Sequence, residues 1–86
     1  MKKTERFCYD LLFMVLKEWL IHNKNYITYR RALNHFEITK NNFSMRLIAQ
    51  KQLLEKLGLE IVYQPNSTEK YIWLNTDTFK KYIDTL

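Results

Sequence analysis

The sequence predicts an α+β, mainly helical fold in the order helix, strand, helix, helix, hairpin, helix. Three observations predict it. Apolar residues recur at helical spacing as far as Leu57, and after Gly58, the only glycine, the period changes to two. Thr28 and Thr39 each stand one residue ahead of a short apolar-periodic segment, where a helix cap is wanted. The chain has 86 residues, which fits one domain over 1–86.

The first helix is expected from Thr4, a candidate cap, with Glu5 at its positive end. Cys8, Leu12, Val15 and Trp19 recur at helical spacing, and Phe7, Leu11 and Met14 widen the apolar stripe. Such a stripe fits a central core helix, or one that also offers Leu11 and Met14 to a partner. Asn23 to Asn25 interrupts the pattern, and Tyr26-Ile27-Thr28 is a short β-prone segment. Thr28 then caps a helix over Tyr29 to Phe36 that buries Tyr29 or Ala32, Leu33 and Phe36. Glu37-Ile38 makes the turn, with Ile38 pointing inward. Thr39 caps a third helix expected from Lys40 to Leu57, whose buried face holds Phe43, Leu47, Leu54 and Leu57, within about 80° of each other. Gly58 falls where a helix C-terminus favours a left-handed residue. Leu59, Ile61 and Tyr63 alternate with Glu60, Val62 and Gln64. Pro65 to Glu69 is a polar loop, and Lys70 to Asn75 returns as the second hairpin strand. Thr76 or Asp77 caps a last helix whose Phe79, Ile83 and Leu86 face inward.

Composition narrows the function classes. The chain is 47% apolar and 15% aromatic, with a mean hydropathy of −0.43, which describes a soluble, folded protein rather than a disordered one. Its single cysteine excludes an internal disulfide framework and suits a reducing cytoplasm. The longest apolar run, Leu11 to Leu16, is six residues, far short of the roughly 20 that span a bilayer. Lys2 and Lys3 are not followed by an uninterrupted apolar region, so no signal peptide is expected. The many Lys, Asn, Ile and Tyr residues point to an AT-rich coding genome, such as a mobile element of a low-GC bacterium.

Charge is the most directional feature. The whole net charge of +5 lies between His22 and Gln52, where Lys24, Arg30, Arg31, Lys40, Arg46 and Lys51 face the single acid Glu37. Elsewhere acids and bases cancel. A localised positive field on two short helices joined by a tight turn is the electrostatic footprint of a nucleic-acid reader.

At Tyr26 to Asn75 the chain resembles the winged helix-turn-helix family. The most specific local match is Leu53-Leu54-Glu55-Lys56-Leu57-Gly58-Leu59, which looks like the junction between a recognition helix and the wing. The resemblance implies a winged helix-turn-helix fold and a DNA partner, duplex rather than single-stranded. The major groove admits one helix, about 12 Å being available, while the preceding helix rests on the backbone. On this chain the start of the third helix offers Lys40, Asn41, Ser44 and Met45 outward, with Asn42 and Arg46 at the flanks and Lys51 at the periphery. Asn bonds adenine, Lys and Arg suit guanine or phosphate, and Ser is permissive. Thr28, Arg30 and Arg31 would meet phosphate, although the adjacent arginines point in different directions. Asn66, Ser67, Thr68 and Lys70 would serve the wing, where Glu69 opposes a phosphate. A stand-alone domain of this kind would act as a repressor, an excisionase-like factor or a replication accessory protein, helped by a homodimer or a larger partner.

Two features complicate a pure DNA reader. Met45 and Ile48 lie opposite Phe43 and Leu54, which suggests protein contact or a kink that turns this half inward. That is the mark of an accessory subunit or inhibitor of a nucleic-acid enzyme such as a polymerase or helicase. Tyr63, Tyr71 and Trp73 could stack single-stranded bases, although packing to the core is the commoner fate. Catalysis is not expected: His22, His35 and Cys8 have no metal-ligand spacing, and no phosphate loop or nucleophile motif is present. No cofactor or metal is expected either.

Overall fold

The computed structural model describes residues 3–63, 65–66 and 68–86. Gln64 and Ser67 of the hairpin loop lie outside the described residues, as do Lys2 and the side chains of Lys3 and Thr4. The elements are α1 (Lys3–His22), β1 (Tyr26–Thr28), α2 (Tyr29–Phe36), α3 (Lys40–Ala49), α4 (Lys51–Leu57), β2 (Leu59–Tyr63), β3 (Lys70–Leu74) and α5 (Thr76–Asp84). The fold is thus α+β and mainly helical, with one antiparallel sheet in the order β1-β3-β2.

α1 is already helical at Lys3, so Thr4 stands inside the first turn instead of ahead of it. The helix ends at Asn23, whose φ of 56° is left-handed and whose N–H donates to the Trp19 carbonyl at 2.9 Å. The chain can then enter β1, which runs beside β3 in the register Tyr26↔Trp73, Ile27↔Ile72 and Thr28↔Tyr71. β2 lies on the other side of β3 with Leu59↔Leu74, Ile61↔Ile72 and Tyr63↔Lys70 opposed. Because side chains alternate across a strand, one face of the sheet presents Ile27, Ile72, Leu59 and Leu74, all buried. These meet Phe7, Cys8, Leu11, Leu12 and Val15 of α1 in one continuous core with Tyr29, Ala32, Phe43, Leu47, Leu54 and Leu57. α2 therefore buries both Tyr29 and Ala32.

The expected single helix from Lys40 to Leu57 is two. Gln50, at φ −107° and ψ 19°, leaves the helical region between α3 and α4. No glycine or proline marks the break, and Phe43, Leu47, Leu54 and Leu57 are still buried on both sides of it. Tertiary packing accounts for the new direction: α4 lies against α1, β2 and α5. The break does not turn Met45 and Ile48 inward, for they remain 66% and 75% exposed. Gly58 ends α4 at φ 93°.

The C-terminal helix departs from expectation in two ways. Its cap is Asn75, whose side-chain oxygen accepts from the Thr78 N–H at 3.2 Å, and not Thr76 or Asp77. Its inward residues are Phe79 and Tyr82, while Ile83 and Leu86 are exposed. The Tyr82 hydroxyl lies 3.2 Å from that of Tyr9, so the inward position falls one residue before the Ile83 contact the spacing suggested.

Candidate functional site

The basic stretch is built on α2, the Glu37 turn and α3. Each helix begins with a threonine whose hydroxyl accepts a backbone N–H: Thr28 from Arg31 at 3.1 Å and Thr39 from Asn42 at 3.2 Å. Each such cap is worth about 1 kcal/mol. The turn between them is tight because Glu37 adopts φ 54°, ψ 40° and donates its N–H to the Leu33 carbonyl. A left-handed glutamate is uncommon, and this one is held because Ile38, the next residue, packs on the core.

Aromatic contacts fix the angle between the two helices. Phe43 is fully buried and its ring meets Tyr29 at 4.8 Å, Phe7 at 5.7 Å and Phe36 at 6.1 Å between centroids. One polar bond adds direction: the Tyr29 hydroxyl lies 2.6 Å from Ser44 Oγ. Ser44 is therefore half-buried and engaged with α2, rather than pointing outward as its position in the helix suggested. Lys40, Asn41, Asn42, Met45 and Arg46 are exposed, so the start of α3 is an open polar end with Met45 beside it. The Arg46 guanidinium also lies over the Phe7 ring at 5.7 Å, a cation–π contact that ties it to α1.

The remaining bases are not equivalent. Arg31 pairs with Glu18 of α1, and this hydrogen bond, the largest cause, holds the Glu18 carboxyl below its ordinary value. Arg30 is exposed, so the adjacent arginines divide into one committed to α1 and one directed to solvent. Lys51 sits 4.0 Å from Glu55, one turn on. Lys70 is half-buried at the loop end of the hairpin strands, its ammonium 5.3 Å from the Tyr29 ring and 5.2 Å from the Tyr63 ring. Through Tyr29 the hairpin is thus connected to Ser44 and α3. Asn66 is exposed at the loop tip with φ 64°. Thr28 is half-buried, its hydroxyl occupied as the α2 cap.

The apolar surface lies elsewhere than the spacing in α1 implied. Leu11 is fully buried among core residues and Met14 is half-buried, so Leu11 is not available to a partner. The open apolar positions of α1 are Phe13, Leu20 and Ile21. Phe13 and Leu20 are two turns apart and share a face, a repeat legible in the sequence but masked there by the more continuous core stripe. Met45 and Ile48 give α3 its own exposed pair. Ile48 borders an apolar groove of about 410 Å³ floored by Leu47, Leu54, Leu59 and Ile61.

Among the described residues, no cluster of three or more His, Cys, Asp or Glu is placed to hold a metal ion, and no helix is long and apolar enough to cross a membrane. No protein-family model, curated protein or solved structure matches the chain.

Proposed function

We propose that this chain is a small winged-helix nucleic-acid-binding protein. It sets the N-terminal half of α3 into the major groove of duplex DNA, with the β2–β3 hairpin alongside as the wing. The observation that carries this reading is the open, capped start of α3: Lys40, Asn41, Asn42 and Arg46 are all exposed within a stretch that holds one acid. The order of helices before the hairpin and the sheet order β1-β3-β2 are compatible with a winged helix. Lys40 and Arg46 supply charge at the reading end, Asn41 and Asn42 supply amides for adenine edges, and Arg30 and Lys70 reach phosphate from the flanking elements. A single module of this kind buries about 600–1,000 Å² on DNA. Tight binding by a repressor, excisionase-like factor or replication accessory protein therefore calls for a second copy or a larger partner.

The test is a paired substitution. Lys40→Ala with Arg46→Ala is expected to weaken binding to duplex DNA at least about tenfold and to flatten its salt dependence by about two charges. Lys80→Ala with Lys81→Ala, on the exposed side of α5, changes little. Equal losses in the two pairs would mean that charge acts only diffusely, and the α3 reading fails.

A second reading is favoured by Met45 and Ile48, whose exposure leaves two large apolar side chains in water on α3. In it the domain docks on a polymerase, helicase or similar enzyme as an accessory subunit or inhibitor. Met45→Asp with Ile48→Asp is expected to leave stability within about 0.5 kcal/mol while abolishing co-purification of the partner. Unchanged co-purification would rule out that face.

A further inference from the structure

The face of the sheet turned away from the core is aromatic and acidic. Strand pairing puts Tyr26, Trp73 and Glu60 in one row and Thr28, Tyr71 and Val62 in the next. Directly opposed residues share a face, so all six lie opposite Ile27, Ile72 and Ile61. Tyr26 and Tyr71 meet edge to face, with centroids 5.5 Å apart and planes at 90°. Together with Val62, Tyr63, Pro65 and Trp73 they line a shallow depression of about 280 Å³.

Charge decides what suits this surface. The hairpin contains two acids, Glu60 and Glu69, and one base, Lys70. Glu60 stands across from Trp73, and Glu69 Oε2 accepts from the Tyr71 hydroxyl at 3.2 Å. Lys70 belongs to the opposite face, over Tyr29 and Tyr63. Burial and then the Glu69 hydrogen bond push the Tyr71 phenol up from its ordinary value, so it stays protonated and keeps donating to Glu69. A nucleic acid stacked here would bring its phosphates toward two carboxylates. A wholly apolar occupant would strip water from the Glu60 and Glu69 carboxylates and bring no new charge to them, which is costly. A planar cation satisfies both features, because ring faces attract cations and carboxylates accept two parallel N–H bonds from a guanidinium. Arginine suits this better than lysine, whose ammonium is a compact charge that cannot stack flat.

We propose that the outer face of the sheet is a docking site for an arginine side chain of a protein partner, stacked on Tyr26, Tyr71 and Trp73 and bonded to Glu60 or Glu69. The site is separate from α3 and does not depend on the chain binding DNA.

The experiment is an NMR titration of the full ¹⁵N-labelled chain with a short acetylated peptide of alternating glycine and arginine. The Trp73 indole N–H and the Tyr26 and Tyr71 amides are expected to shift saturably, and a lysine version of the peptide to bind more weakly. Glu60→Gln with Glu69→Gln changes two exposed side chains, keeps the fold, and is expected to lower affinity for the arginine peptide about tenfold. Four results would overturn the proposal: no saturable shift up to about 10 mM peptide, a range that reaches the weakest specific contacts; unchanged affinity in the double glutamine variant; a stronger response of Trp73 to oligo(dT), which would mean base stacking; or concentration-dependent shifts of the same residues without peptide, which would mean that a second copy covers the face.

Discussion

Replacing Gly58 by alanine probes the joint on which the hairpin and α5 both depend. Gly58 closes α4 at φ 93°, and a Cβ there would lie 2.8 Å from the Asn75 carbonyl oxygen and 3.2 Å from the Phe79 nitrogen. The left-handed backbone alone costs an L-residue about 1–2 kcal/mol. The clash is with main chain, so no rotamer change relieves it. Moving Asn75 away disturbs its N–H bond to the Gly58 carbonyl at 2.7 Å and the Phe79 N–H bond to the Asn75 carbonyl at 3.0 Å. Weakening these bonds adds about 0.5–1 kcal/mol each. The expected loss is therefore about 2–4 kcal/mol, out of roughly 4–13 kcal/mol for a domain of this length. Urea unfolding followed by far-UV circular dichroism should show a lower midpoint at an unchanged slope, and the melting temperature should fall by about 10–25 °C. Gly58→Asn should recover only part of the loss, because asparagine tolerates the left-handed backbone but its Cβ meets the same carbonyl. A loss below about 0.5 kcal/mol for alanine, the range of ordinary surface changes, would refute the account of this junction.

Two further outcomes concern titratable groups. Cys8 has no exposed surface, and burial, followed by the charge of Glu5, raises its pKa to about 11. At pH 8 only about one thiol in a thousand is ionised, so Ellman's reagent should react with the native protein far more slowly than with the unfolded chain; equal rates would mean that α1 is not packed as described. Arg31 holds the Glu18 carboxyl below its ordinary value of 4.5. With the folded value depressed, the stabilisation is fully present above 4.5 and is lost as pH falls through the lower folded value. Glu18→Gln should therefore flatten the acid limb of a stability-versus-pH curve, and an unchanged acid limb would show that the pair contributes nothing to folding.

Local chemistry made much of the fold legible. The bounds of β1 and α2, the inward Ile38 and the left-handed Gly58 follow from capping residues, short β-prone runs and a lone glycine, all of which act within a few residues. What escaped depends on distant partners. The break at Gln50 has no local breaker and comes from the packing of α4. Asn75 caps α5 in place of Thr76 or Asp77 because its position is fixed by the Gly58 carbonyl across the chain. At the candidate site, the exposure of Lys40, Asn41, Asn42 and Arg46 could be read from helical spacing around Phe43. Ser44 and Arg31 could not be placed that way, since their partners Tyr29 and Glu18 are 15 and 13 residues away. Tyr71 and Trp73 were visible as an alternating pair, but the aromatic face needs Tyr26, which joins them only through the pairing of β1 with β3.

In the proposed function the open start of α3 and its flanking bases neutralise duplex phosphates. The most direct test is the salt dependence of duplex binding, measured by fluorescence anisotropy. If Arg30, Lys40, Arg46 and Lys70 each neutralise one phosphate, the logarithm of affinity should fall with the logarithm of salt at a slope of about −3.6, a loss of about 10²-fold between 50 and 200 mM. An affinity that does not change over this range would contradict the claim, because phosphate neutralisation could not then be the mechanism.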